Sequence, residues 1–288
     1  MYPAAFDYYR ATSVKDAQHL LQQHPGAKIL AGGHSLIPLL KLRLASPAAL
    51  IDIGRIAELK GITTKGGVIR VGALTTHAEV AASRPLRSDC PMLAEAAAQI
   101  GDQQVRNCGT IGGNVAHADP ASDLPTVLSA LEARLVSVGP SGERTIDADD
   151  FFQGMMATAL GEHDILTAVE IVPKRAGEGM AYEKFVHPAS RYAVVGAAAV
   201  VSVQDGTCTG ARVSIGGLVP VATRVRAVET ALVGNRPSPE AIGEAARLVL
   251  EHLDGYILED VFASGEYRKA MAPVFVKRAL IAAFERAA

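Results

Sequence analysis

The chain has no tryptophan, 5% aromatic residues and three cysteines among 288 residues. Cys90, Cys108 and Cys208 are scattered without C-x-x-C spacing, too few thiolates to hold an iron–sulfur cluster. They read as reduced thiols, with Cys108 packing near the site described below. Hydrophobic residues make up 49% of the sequence, yet no uninterrupted apolar run reaches the roughly 18 residues of a membrane helix. The longest such stretch, Tyr192 to Val203, reads as a buried strand. Neither sign of charge dominates: the net charge is −2, with acids and bases interspersed, which argues against a nucleic-acid or membrane surface. Met1 to Asp7 lack the basic and apolar blocks of a secretion signal, so a cytoplasmic location is expected.

Familiar catalytic and nucleotide templates are missing too. There is no G-x-x-x-x-G-K-S/T and no G-x-G-x-x-G after a strand, which speaks against a P-loop ATPase and a Rossmann dehydrogenase. No G-x-S-x-G elbow marks a nucleophile. His34, His77 and His117 invite a metal reading, but H-x-x-x-H and H-E-x-x-H are absent, and a lone histidine is more often structural.

What the chain does have is a pair of glycine-rich segments, Ala31-Gly32-Gly33-His34-Ser35 and Thr110-Ile111-Gly112-Gly113-Asn114, the second followed by His117 and Asp123. Paired glycines expose successive backbone N–H groups and permit positive φ, so a diphosphate can approach closer than a Cβ would allow. Read as two turns, the segments would grip one ligand from both sides. The first follows Ile29-Leu30 and precedes a helix expected to begin near Ser35, which would aim a positive helix end at an anion. The alternative is that each pair only makes a tight turn.

Three blocks follow from periodicity and punctuation. Residues 1–57 give a helix over Val14–Gln23 capped by Ser13, a strand over Lys28–Leu30 and another over Leu50–Ile53, a small α/β unit. Residues 58–174 give a strand at Val68–Val71, then helices over Thr76–Ser83, Pro91–Ile100 and Ser122–Glu132. A strand at Arg134–Val138 comes next, and Ile165–Val172 is expected to close the sheet. After the linker Pro173–Gly179, residues 178–288 read as strands at Ala181–Phe185, Ala193–Val203 and Ala211–Gly216, with helices at Pro237–Leu253 and Glu266–Arg286. Strands first and helices last suggest α+β with an antiparallel sheet.

Several of these segments, in this order, carry a resemblance. They are Ala31 to Pro38, Val105-Arg106-Asn107-Cys108-Gly109 leading into Thr110–Asn114, Asp164-Ile165-Leu166 with Glu170-Ile171, Tyr182-Glu183-Lys184-Phe185, and Arg191-Tyr192-Ala193. The chain resembles the flavin-binding medium subunit of the molybdenum hydroxylases, the group that includes aerobic carbon monoxide dehydrogenase and quinoline oxidoreductase. It is also similar to the flavin domain of xanthine dehydrogenase. The resemblance implies an α+β fold: a two-part flavin-binding domain of the p-cresol-methylhydroxylase type, followed by a C-terminal antiparallel sheet with helices.

It further implies a noncovalent FAD that carries the redox chemistry while the protein supplies position and electrostatics. Ile29, Leu30, Ala31, Gly32, Gly33, His34, Ser35 and Leu36 would wrap its diphosphate and ribityl region. Gly109, Thr110, Gly113, Asn114, Ala116 and His117 would join the same pocket, with Asp123 as an acceptor. Ile165 or Leu166 would pack against a ring, unless they are ordinary strand core. Lys184 would approach the cofactor and favour an anionic reduced flavin, unless it is a solvated strand-end lysine. Tyr192 would lie near the isoalloxazine. In one departure, Ser190-Arg191-Tyr192-Ala193 stands where relatives often have Gly-Asp-Tyr-Ala.

No catalytic residue and no metal ligand of the chain's own are implied. Two 2Fe-2S clusters would belong to a small iron–sulfur subunit and the molybdenum cofactor to a large subunit, the whole doubled as a dimer of heterotrimers. The chain would then be an electron-transfer subunit. The alternatives are a stand-alone flavin oxidoreductase and a noncatalytic nucleotide-binding scaffold.

Overall fold

A computed structural model describes residues 1–253 and 255–287. The first sheet has three parallel strands in the order β1-β3-β2: β1 (Asp7–Arg10), β2 (Lys28–Leu30) and β3 (Ala49–Asp52). Helix α1 (Val14–Gln23) packs Ala17 and Leu21 onto the core around Ile51, and the Ser13 hydroxyl accepts from the Asp16 N–H at 3.1 Å. A six-residue helix, α2 (Leu36–Lys41), follows the first glycine segment. Strand β1 has no apolar alternation to announce it, since its residues are largely exposed.

The second sheet is antiparallel, in the order β4-β5-β10-β6-β7. Strands β4 (Ile62–Lys65) and β5 (Val68–Gly72) lead into six helices: α3 (His77–Ala82), α4 (Arg84–Asp89), α5 (Pro91–Gln99), α6 (Gln103–Cys108), α7 (Ile111–His117) and α8 (Asp123–Ala130). The chain returns through β6 (Arg134–Gly139), β7 (Gly142–Asp147), the short helix α9 (Ala148–Phe151), the small hairpin of β8 (Phe152–Gly154) and β9 (Ala157–Thr158), and finally β10 (Ile165–Ile171). Expected to close the sheet, β10 instead lies at its centre, paired with β5 and β6. Every residue from Ile165 to Val169 is buried, the continuous apolar run of a strand covered on both faces. Val172 lies beyond its end, 53% exposed.

The third sheet, also antiparallel, runs β11 (Glu178–Val186), β12 (Ala193–Gln204), β13 (Thr207–Gly216) and β14 (Thr223–Arg224). It is covered by α10 (Arg226–Leu232), α11 (Pro239–Arg247) and the long α12 (Gly265–Ala287). The helix expected over 237–253 loses α geometry after Arg247 and continues as a 3-10 turn, Leu248–His252. On α12 the buried Arg268 donates to the carbonyls of Val194 (2.8 Å) and Gly217 (2.7 Å) and pairs with Asp260 at 2.6 Å. It thereby fixes the start of β12, next to Tyr192.

Candidate cofactor-binding site

The two glycine segments touch. Residue 32 sits so close to the Cys108 carbonyl that a Cβ there would overlap its oxygen, and would lie 2.9 Å from the Gly109 Cα. Gly33 adopts φ +72, a left-handed conformation that glycine takes without strain. Beyond this turn, the N–H groups of Gly32, Gly33, His34, Ser35 and Leu36 find no acceptor among the described residues. All five residues line one cavity. The helix expected to begin near Ser35 does so: Ser35 is its N-cap and α2 starts at Leu36, but the Ser35 side chain caps nothing, which leaves the N–H groups at this helix start free.

The second segment is a helix, α7, and not the turn expected. Tertiary bonds and a local cap outweigh the poor helix propensity of glycine: the Ile111 N–H donates to the Thr75 carbonyl (3.0 Å) and the Gly112 N–H to the Ala73 carbonyl (2.9 Å), while the Thr110 hydroxyl caps the helix by accepting from the Gly113 N–H (3.1 Å). A Cβ on Gly112 would come within 2.5 Å of the Ala73 Cβ, so this glycine serves close packing. The donors at the start of α7 are therefore spent inside the protein. What α7 turns to the cavity is side chains: Thr110, Asn114 and His117 all line it. Ser122 stands at the N-cap of α8, but its hydroxyl makes no cap bond and donates instead to the Asn114 amide oxygen at 2.7 Å.

The cavity holds about 510 Å³, within the roughly 300–1,000 Å³ of small-molecule and cofactor sites. Of the residues singled out from the sequence, Ile29, Ala31, Gly32, Gly33, His34, Ser35 and Leu36 line it, as do Gly109, Thr110, Gly113, Asn114, Ala116, His117, Asp123, Ile165, Leu166 and Tyr192. Ile165 and Leu166 are strand core and cavity wall at once, 1% and 6% exposed. Leu30 does not line it; successive strand side chains point to opposite faces, and Ile29 holds the cavity side. Lys184 does not line it either. Neither solvated nor on the wall, it lies buried behind Asp123. Cys108, expected to pack, is exposed.

His77, weighed above only as a metal ligand, also lines the cavity, as do Asp164 and Arg191, which belong to the resembling segments without a cofactor contact expected of them. The Thr76–Glu79 capping box that starts α3 was legible in the sequence, and it places His77 at the first helical position. Nothing local shows that this position faces a cavity.

The electrostatics are uneven along the wall. Burial drives the His77 imidazole down to about 4, helped by the charges of Arg106 and His34, so it is neutral at ordinary pH. Burial raises the Asp123 carboxyl, opposed by Lys184 and by the Tyr182 hydroxyl, which donates to Asp123 Oδ1 at 2.6 Å. At Asp164 burial is outweighed by hydrogen bonds from Arg144 and from the Gly161 N–H, and its carboxyl stays below the usual range. Burial and the nearby Asp119 push the Tyr192 phenol up. Among the described residues, no group of three or more His, Cys, Asp or Glu side chains is placed to hold a metal ion.

Known proteins resemble this chain over its whole length. The FAD binding domain in molybdopterin dehydrogenase matches residues 4–174, and the CO dehydrogenase flavoprotein C-terminal domain matches residues 180–283. The chain is 40% identical to the carbon monoxide dehydrogenase medium chain of Hydrogenophaga pseudoflava, with 100% of each covered. It is 36% identical to the 6-hydroxypseudooxynicotine dehydrogenase complex subunit alpha of Paenarthrobacter nicotinovorans, covering 100% of this chain and 97% of that one. The fold matches, at a TM-score of 0.96, a solved structure of the Hydrogenophaga pseudoflava carbon monoxide dehydrogenase that lacks the Mo-pyranopterin moiety of the molybdenum cofactor, with 42% identity and 100% of both chains covered. A family match this complete, over a cavity walled by free backbone donors, makes this chain a member of the FAD-binding medium subunits of the molybdenum hydroxylases.

Proposed function

We propose that the cavity between the Gly32 turn and α7 holds FAD, and that the chain relays electrons from the 2Fe-2S clusters of a small subunit to an external acceptor. The observation that carries this reading is the run of unpaired N–H groups from Gly32 to Leu36 on the cavity wall. These residues are half-buried, and exposed at His34, so their donors face the cavity opening, where a diphosphate supplies acceptors for a run of backbone N–H groups. When bound, FAD supplies the exchange between one-electron and two-electron transfer.

The chain's own residues then bind, orient and exclude water. Thr110 and Asn114 offer short polar groups from α7, and Asp123 offers an acceptor held in place by Tyr182 and Lys184. Ile165 and Leu166 supply an apolar wall from β10, while Tyr192 flanks the opening. His77 adds a neutral imidazole, which can accept or donate a hydrogen bond without bringing charge. In this reading residues 1–57 and 58–174 form the two halves of the FAD site, and residues 178–288 contribute Tyr192 and the Asp123 partner Lys184.

The partners are a small iron–sulfur subunit and a large subunit with the molybdenum cofactor, assembled as a dimer of heterotrimers in the cytoplasm. Three unpaired thiols suit a reducing compartment, and among the described residues no helix is long and apolar enough to cross a membrane. Substrate choice belongs to the large subunit, since relatives named for carbon monoxide and for 6-hydroxypseudooxynicotine resemble this chain to similar degrees.

The test is the absorption spectrum of the purified chain and the mass of any chromophore released by heat. Released FAD, or uptake of added FAD by colourless protein, supports the reading; protein that stays colourless with added FAD overturns it. Substrate oxidation by the chain alone at the rate of the assembled complex would overturn the subunit assignment.

A further inference from the structure

Lys184 lies in β11 with a side chain that is 0% exposed. Its ammonium has three N–H donors, and three acceptors meet it: Asp123 Oδ2 at 2.9 Å, the Arg191 carbonyl at 2.8 Å and the Gln99 carbonyl at 3.3 Å. No donor is left over for a ligand. The acceptors come from three separate stretches of chain, and each stretch reaches the cavity. Asp123 opens α8 and lines the cavity itself. Gln99 ends α5 immediately before Ile100 and Gly101, both lining residues. Arg191 belongs to the loop of Ser190, Arg191 and Tyr192, which walls the cavity from the side of the third sheet.

That loop needs holding. Arg191 has φ +61, a left-handed conformation that is strained for a residue with a Cβ. The turn is closed by the Arg191 N–H donating to the His187 carbonyl (2.8 Å) and the His187 N–H donating to the Tyr192 carbonyl (2.9 Å). The Ala189 and Ser190 N–H groups donate to the His187 Nδ1 at 3.2 and 3.3 Å. All of these bonds are internal to the loop. The bond from Lys184 fastens the Arg191–Tyr192 peptide to buried protein on the other side.

We propose that Lys184 is a positioning residue, a clasp that fixes Asp123, the 99–101 segment and the Tyr192 loop relative to one another, and that it acts on the cofactor only through them. Resting on the reading of the cavity as the FAD site, the clasp sets the shape into which FAD fits, and its charge is consumed by Asp123 before it reaches the ligand.

The test uses the full-length chain in two arms. The first needs no FAD: trypsin cleaves after arginine, so the rate of cutting at Arg191–Tyr192, relative to cutting elsewhere in the chain, reports release of the loop. Lys184→Met should raise that ratio about tenfold, as local opening without global unfolding does. Because Lys184→Met leaves a buried carboxylate without its partner, the double variant Asp123→Asn/Lys184→Met is measured beside it and should show the same rise. A folded double variant cut at the wild-type ratio overturns the clasp.

The second arm titrates FAD into the FAD-free chain by quenching of flavin fluorescence. Lys184→Met and Asp123→Asn should each weaken binding about tenfold, and the double variant no more than the weaker single, the signature of residues that act as one unit. Losses that add would mark an independent contact of Lys184 with FAD and overturn the proposal, as would wild-type affinity in Lys184→Met. Failure of the wild-type chain to bind FAD overturns the cofactor reading and leaves the first arm to decide the clasp.

Discussion

Gly32 lies against the backbone carbonyl of Cys108 with no room for a side chain between them. This contact seats the free donors of the first glycine segment opposite Thr110 and Asn114. Gly32→Ala should push the segments apart, destabilise the chain by about 1–3 kcal/mol and strip FAD from the purified protein. Gly210→Ala, where a Cβ would meet only Ser202 atoms at 3.5 and 3.7 Å, should leave the flavin-to-protein ratio unchanged. Equal FAD content in the two variants would show that the Gly32–Cys108 approach does not shape the site.

His77 gives the fold an acid-sensitive component. Its imidazole titrates near 6.5 in the unfolded chain and about 4 in the folded one, so between those values the unfolded chain binds the extra proton and stability falls as pH falls. By linkage the loss at pH ~4.5 relative to pH ~7 is about 2.5 kcal/mol. Urea midpoints for the wild type and His77→Gln should diverge in that direction over that window, the variant losing less. Parallel pH profiles would show that His77 titrates normally in the folded chain.

Asp123 pairs with Lys184 inside the protein, their side chains 5% and 0% exposed. Asp123→Asn removes the counter-charge and strands the ammonium, which should cost about 3 kcal/mol. Thermal denaturation of the FAD-free variant reads this directly. A melting temperature within a degree or so of wild type, where 1 kcal/mol amounts to several degrees in small domains, would show that the pair contributes little.

Arg268 holds two backbone carbonyls and a carboxylate from one guanidinium. Arg268→Met should lower stability by about 3 kcal/mol, because buried acceptors and Asp260 lose their donors. Arg268→Lys should recover less than half of that, since an ammonium lacks the planar fork. Chemical denaturation of the three proteins makes the comparison; full recovery by lysine would show that charge alone matters.

Much of the fold was readable because local signals and burial agree. Val14–Gln23 and Lys28–Leu30 form over the residues that their cap and periodicity indicate, and β11 to β13 appear where apolar runs lie between turn residues. The failures share a cause, which is that remote backbone decides local structure. Thr110 caps helix α7 locally, but its first N–H groups are taken by Ala73 and Thr75, partners that Thr110–Asn114 does not reveal. The central place of β10 follows from partners on both sides. At the site, the glycine segments and the residues beside them pointed to the cavity, whereas Lys184 was expected at the cofactor and lies behind Asp123, and His77 was weighed only as a metal ligand and lies on the wall. A side chain's direction depends on what the neighbouring strand or helix offers: for Lys184 that is three acceptors behind the cavity wall, and for His77 a place on that wall against Gly109.

The cavity draws its walls from regions with three distinct hydrophobic cores: Ile53 belongs to one, Leu166 to another, and the Tyr192 loop opens onto β12 of the third. A ligand that spans them acts as a shared keystone. Its binding energy enters the stability of every region it touches, so the loaded protein should melt as one cooperative unit. The empty chain lacks that link, although Met180, Tyr182, Ala198 and Val200 of the third sheet still pack into the core of the second.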